Sequence, residues 1–188
     1  MFEKFKNIAF VHDTRKYIDV KGNLIDLSNL RYSHIIRFLE SITPQKDVLI
    51  DPSNVNIIQY LHLLKYYGAV STVSLMSVKT KCVQDKLKDL KHIHISVETF
   101  IPAVASECGL LYHTSRRLTR YRIHESSSIT FSSVGEIKVL FNLRRAIEDH
   151  EYIIRTVIQK DNNFKYLICM FQLQARYGIA SSRYKKIV

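Results

Sequence analysis

Apolar positions along the chain follow two rhythms. Ile8-Ala-Phe-Val11 is a short apolar run that gives way to His12-Asp13-Thr14, which predicts a buried strand delivering polar groups at its carboxyl end. Tyr17 to Ile25 is centred on Gly22-Asn23, a pair that tolerates positive φ, and predicts a hairpin. Helical spacing follows in Arg31 to Ser41, closed by Pro44, and in Ile57, Ile58, Leu61 and Leu64, ended by Gly68. The β-branched stretch Val70 to Val78 predicts a strand. Thr80 is placed to cap a helix carrying Val83, Leu87 and Leu90. A second helix is expected from Ser96, with Val97, Phe100, Ile101, Val104 and Cys108 inward and Gly109 ending it. Leu110 to Tyr112 and Leu118 to Ile123 predict two further strands. Helices are expected from Glu136 to about Lys160 and from Phe164 to Tyr177.

Strands alternate with helices in the first two-thirds of the chain, and a helical pair closes it. That order predicts a mixed α/β (α+β) class without the regular repeat of a doubly wound sheet. With 188 residues and 46% apolar composition, one core is expected, in which residues 135–188 pack as amphipathic helices on the portion formed by 1–134. Three prolines and five glycines leave no long flexible linker. No apolar run reaches the roughly 18 residues of a membrane span, and the amino-terminal segment does not read as a secretory signal, so a cytoplasmic protein is expected. Cys82, Cys108 and Cys169 lie far apart in apolar surroundings and read as buried free thiols.

Charge alters this picture. Lys plus Arg exceed Asp plus Glu by 28 − 17 = 11, which predicts attraction to phosphate-bearing ligands, nucleic acid or acidic lipid. The excess is spread: residues 1–94 hold 14 basic and 9 acidic side chains, and residues 95–188 hold 14 and 8. There is no basic tail of the kind that wraps nucleic acid. The densest group is Arg116, Arg117, Arg120 and Arg122, followed by His124 and a Ser/Thr-rich loop from Ser126 to Ser133. Residues two apart on a strand share a face, so Arg120 and Arg122 point the same way, with Leu118 beside them. Two guanidinium forks on one face suit a diphosphate, and they equally suit a solvated, charge-protected edge strand.

The run from Gly109 to Ser128, with Leu118-Thr-Arg-Tyr-Arg-Ile-His124 at its centre, resembles a segment of inverting family-2 glycosyltransferases that follows their catalytic helix. Ser71-Thr-Val-Ser74 with Lys79, Ile95 to Ile101, and the stretch from Phe2 to Ile25 resemble other pieces of that family in the same order. The resemblance covers about residues 2 to 135. It implies the carboxyl-terminal half of a GT-A catalytic domain: a partial mixed sheet with flanking helices. It further implies sugar transfer from a nucleotide-sugar or lipid-phosphate-sugar donor to a glycan or lipid-linked acceptor hydroxyl, with a divalent metal, Mn or Mg. Glu98 falls at the position of the catalytic base, where the family usually has Asp; an acidic residue in the first turn of a helix is also favoured by the helix dipole alone. Arg120 and Arg122 become diphosphate or substrate ligands. His124 becomes a metal-ligand candidate, and reads otherwise as a hydrogen-bonded surface residue.

The family's nucleotide-binding strands and its DxD metal ligands would precede the first residue, and Asp13, Asp19 and Asp26 do not replace them. Three expectations follow. Activity would need the missing half, so the chain would act as a truncated, split or inactive relative. It would form a homo-oligomer or join a partner chain, because a sheet lacking its first strands exposes an edge. The basic amphipathic helices leave peripheral contact with the cytoplasmic membrane face open. The alternative is a non-catalytic basic module binding nucleic acid or another polyanion.

Overall fold

Two long strands run side by side through the centre of the molecule. The computed structural model describes residues 5–26, 45–53, 73–124 and 136–157. β1 (Ile8–Ile18) and β4 (Leu110–Arg122) pair in parallel from Ile8 opposite Leu110 to Ile18 opposite Arg122. The short β2 (Val48–Ile50) and β3 (Met76–Val78) flank them antiparallel, giving the order β2-β4-β1-β3. The class is mixed α/β, as the order of sequence patterns predicts.

The edge strands reach only part of the central pair. β3 meets Phe10 to His12, and β2 meets Leu111 to His113. Here Ala9, Phe10, Ile50, Cys82, Ala105 and Leu111 form an apolar cluster, while the row Ser77, Val11, Tyr112 and Leu49 is half-buried to exposed. Beyond His12 and His113, β1 and β4 continue as a parallel two-stranded ribbon.

Three short helices lie between β3 and β4 in the chain, and the last of them packs on β1 and β4. Thr80–Gln84 (α1) and Leu87–Leu90 (α2) replace the single expected helix, because Asp85 and Lys86 end one turn and start another. Lys79, not Thr80, holds the cap position. α3 (Val97–Ala105) begins after Ser96 as expected, but it ends at Ala105, so Cys108 lies beyond it and is exposed. α4 (Glu136–Tyr152) continues as a π-helical turn, Ile153–Val157, whose Ile153 packs with Phe100, Ala103 and Val104.

Two strand expectations are corrected. Of the strand expected over Val70 to Val78, residues 70–72 lie outside the described residues, Val73–Leu75 is a 3-10 turn, and Met76–Val78 pairs with β1. The two expected strands at Leu110 and Leu118 are one strand of 13 residues, whose pairing with β1 shifts register across Thr114 to Leu118. The polar His12-Asp13-Thr14 likewise lies within β1, not beyond its end. The hairpin stands as a turn with one bridge, Ile18 to Leu24. Gly22 takes φ +93°, and the Asp19 carboxylate accepts the Lys21 and Asn23 amides at 2.8 Å. The helices expected at 31–41, 57–68 and 164–177, the loop 126–133 and Cys169 lie outside the described residues. No helix among the described residues is long and apolar enough to cross a membrane.

Candidate functional site

The chemistry of the described residues concentrates along the β1/β4 seam. Ala9-Phe-Val-His12 and Leu110-Leu-Tyr-His113 are two strand segments of the same form, three apolar residues and then histidine. Their parallel register sets His12 directly opposite His113, both fully buried. The rings stack with centroids 5.2 Å apart, and the two Nδ1 atoms lie 3.0 Å from each other. Such a contact is a hydrogen bond only if one Nδ1 carries a proton and the other does not, so two neutral rings take different tautomers. Burial, then the neighbouring His113, then Arg15, press the His12 pKa down to about 3. At neutral pH His12 is therefore uncharged.

Farther along the seam the polar groups interlock. Thr14 Oγ1 donates to the Ser115 carbonyl at 3.0 Å, and Thr119 Oγ1 donates to the Asp13 carboxylate at 2.9 Å. Burial pushes the Asp13 carboxyl up, against the pull of Thr119 and Arg15. Arg15 is itself buried, its guanidinium carbon 5.8 Å from the Tyr17 ring centre and 5.6 Å from that of Tyr121. A cation seated over two aromatic faces keeps part of the stabilisation that it loses with water. Asp47, before β2, ties the other side of β4: it accepts from the Tyr112 hydroxyl, and from the Ser115 amide at 2.8 Å and hydroxyl at 2.9 Å. These donors, Tyr112 first, hold its carboxyl down to about 2.

The exposed cations of the ribbon lie on β4, with Lys16 of β1 beside them. Lys16 stands opposite Arg120 in register, Arg122 follows two positions on, and all three are exposed together with Arg116, Arg117 and Leu118. Arg120 and Arg122 thus share an exposed face, as strand periodicity predicts. Arg122 has a structural task as well: its Nη1 donates to the carbonyls of Asp19 and Val20, clamping the hairpin turn. Lys16 was not anticipated as a member of this face. Its signal lay only in the pairing of β1 with β4, which no local pattern reveals.

Glu98 and His124 are not drawn into one constellation with this face. Glu98 is buried in the first turn of α3. That helix start is organised by Asp149 of α4, a fully buried carboxylate accepting the backbone amides of His94, Ile95 and Ser96 at 2.8 Å, and His94 Nδ1 at 2.8 Å. Burial pushes Asp149 up, and the donors together outweigh it and leave its carboxyl below the ordinary range. His150 beside it is pressed down by burial. His124 is exposed just past the end of β4. Among the described residues, no group of three His, Cys, Asp or Glu side chains could hold a metal ion. The divalent metal implied by the glycosyltransferase resemblance therefore finds no fitting donor set among them.

Compared with known proteins, the chain matches no family model, no curated protein and no solved structure.

Proposed function

We propose that this chain binds a phosphate-bearing polyanion, in the first instance nucleic acid, along the exposed face of the β1/β4 ribbon. The observation that carries the reading is the registered pair Lys16 and Arg120, extended by Arg122, on a chain of net charge +11. Side chains on one face of a strand recur roughly every 6.6 Å, so these cations form a row and not a single pocket. A row suits successive phosphates, each met by forked or point-charge donors.

Sugar transfer by a family-2 glycosyltransferase-like enzyme is the second reading. Its support is the shared exposed face of Arg120 and Arg122, which could take the diphosphate of an activated donor. It also asks for a base beside the acceptor, and Glu98 is buried in α3. One experiment separates the two. Fluorescence anisotropy with unrelated single-stranded and double-stranded oligonucleotides over a salt series is run beside calorimetry with nucleotide-diphosphate sugars and manganese. Nucleic-acid binding should weaken steeply with salt and lose affinity in Lys16→Ser/Arg120→Ser. Heat with a nucleotide sugar, and product formation lost in Glu98→Gln, would favour the enzyme. Silence in both, or binding indifferent to the double substitution, would overturn the proposal.

A further inference from the structure

His94 reaches across to α4 from the segment that precedes α3. Its Nδ1 lies 2.8 Å from the Asp149 Oδ1, and the two side chains differ in exposure: the imidazole is 47% exposed, whereas the carboxylate is wholly buried. Asp149 is a fixed acceptor. The His94, Ile95 and Ser96 amides all donate to it at 2.8 Å, and these donors leave it ionised at neutral pH. An ionised carboxylate can only accept, so His94 carries its proton on Nδ1. The other ring nitrogen, Nε2, then holds a lone pair on the side of the ring away from Asp149, toward solvent.

We propose that His94 is a phosphoryl acceptor, taking a phosphoryl group onto Nε2 from a small acyl phosphate. The Nε2 lone pair attacks phosphorus and the Nε2–P bond forms. The P–O bond to the acyl group breaks, and a carboxylate leaves with the electron pair. No proton moves and nothing is oxidised. The ring keeps its Nδ1 proton and gains a positive charge, which faces the Asp149 carboxylate through that proton. Asp149 is a positioning residue: it holds the tautomer whose lone pair points outward, and it compensates the charge that the transfer creates.

His92 supplies the contrast within the same segment. It is exposed as well, but its ring stacks on Tyr152, centroids 4.9 Å apart, in place of a carboxylate. Tyr152 lies one helical turn after Asp149 on α4, and its hydroxyl donates to Asp89 at 3.0 Å. The two histidines thus meet neighbouring turns of one helix face and differ in what they find there. A half-exposed ion pair forms on transfer at His94 and not at His92, which favours His94 by about fivefold. The acceptor uses no residue of the ribbon and stands whether or not a polyanion binds there.

The test incubates the full chain with acetyl phosphate at pH 8. Peptide mapping under alkaline conditions, with electron-transfer fragmentation, assigns each added phosphate to His92 or His94, and a long-range proton–nitrogen NMR spectrum reads the His94 tautomer. The expected result is an acid-labile phosphate on His94, gained about fivefold faster than on His92, from a ring protonated at Nδ1. In Asp149→Asn the His94 rate should fall to that of His92. No phosphate on His94, equal rates at the two histidines, or an unchanged His94 rate in Asp149→Asn would overturn the proposal. Should Asp149→Asn fail to fold, the ratio of His94 to His92 in the unsubstituted chain decides.

Discussion

The inner and outer halves of the β1/β4 seam are built from the same two strands, with the register shifted between them from His12 to Arg15, and they hold opposite kinds of residue. In the inner half, β2 and β3 extend the sheet and α3 packs on it; Phe10, Ala9 and Leu111 are fully buried, and His12 and His113 turn their polarity toward each other. In the outer half the strands pair with one another, one face carries the buried Arg15 and Tyr17, and the other presents Lys16, Arg120 and Arg122 to solvent. Parallel strands are usually covered on both faces. In the outer half the exposed side chains are mainly those of β4, and on β1 Lys16 is exposed between the buried Arg15 and Tyr17. Lys16 comes opposite Arg120 through the register shifts between His12 and Arg15, not by continuing the pairing of His12 with His113.

If this division is right, the largest losses come from the inner half. Phe10→Ala empties a fully buried site and should cost about 3–5 kcal/mol, measured by urea unfolding. Gly109→Ala, at the entry to β4, adds a Cβ that meets the Asn7 carbonyl and enters a backbone region side chains avoid; about 2–3 kcal/mol is expected. If Gly109→Ala unfolds as the parent does, the start of β4 is looser than the geometry states, and the anchoring role of the inner half falls with it.

The sequence reveals this molecule unevenly. The buried run Ile8 to Val11, the Gly22 turn and the α3 start after Ser96 are local events, set by residues within a few positions, and local patterns report them. The join of Leu110 and Leu118 into one strand is not local. Thr114, Ser115, Arg116 and Arg117 carry no strand signature of their own; the strand passes through them where Thr14, about a hundred residues earlier, pairs with Arg117 and its hydroxyl donates to the Ser115 carbonyl. The break between α1 and α2 hides for the opposite reason: Val83, Leu87 and Leu90 keep helical spacing across it. The candidate site divides in the same way. The shared face of Arg120 and Arg122 follows from strand alternation within one segment, whereas the His12/His113 contact and Lys16 need the pairing of distant strands. Cys108 was read as buried because the expected helix overran its end at Ala105.

The histidine pair offers a sharper test of the inner half through pH. The unfolded chain protonates a histidine near pH 6.5, whereas His12 in the fold does so only near 3. Between those values the unfolded state binds the extra proton, so His12's contribution is intact above pH 6.5 and is lost as pH falls toward 3. The slope approaches 1.4 kcal/mol per pH unit, or about 2 kcal/mol between pH 6.5 and pH 5. His150, also depressed by burial, adds loss of the same sign. Asp47 and Asp149, held low, add theirs only once pH enters the carboxylate range. Urea unfolding at pH 7, 6 and 5 reads the effect above that range. His12→Leu/His113→Leu removes both partners together, so it should stay within about 1.5 kcal/mol of the parent at pH 7 and flatten the slope toward pH 5. An unchanged slope in the double variant would assign the acid sensitivity elsewhere.

The outer half should answer to none of these measurements and to a different one. Lys16 and Arg120 are exposed, and their replacement by serine should shift unfolding by no more than about 0.5 kcal/mol. Their effect is expected in the salt dependence of binding. Each phosphate contact contributes close to one unit to the slope of log K against log salt, so the double variant should lower that slope by about 1 to 2 for a double-stranded oligonucleotide. Arg122→Ser is the informative contrast, because its guanidinium also holds the Asp19 and Val20 carbonyls. It should weaken binding and loosen the turn together, whereas Lys16→Ser should weaken binding alone. If Lys16→Ser lowers stability as much as Arg122→Ser does, the exposed face is part of the scaffold, and the division between the two halves of the seam does not hold.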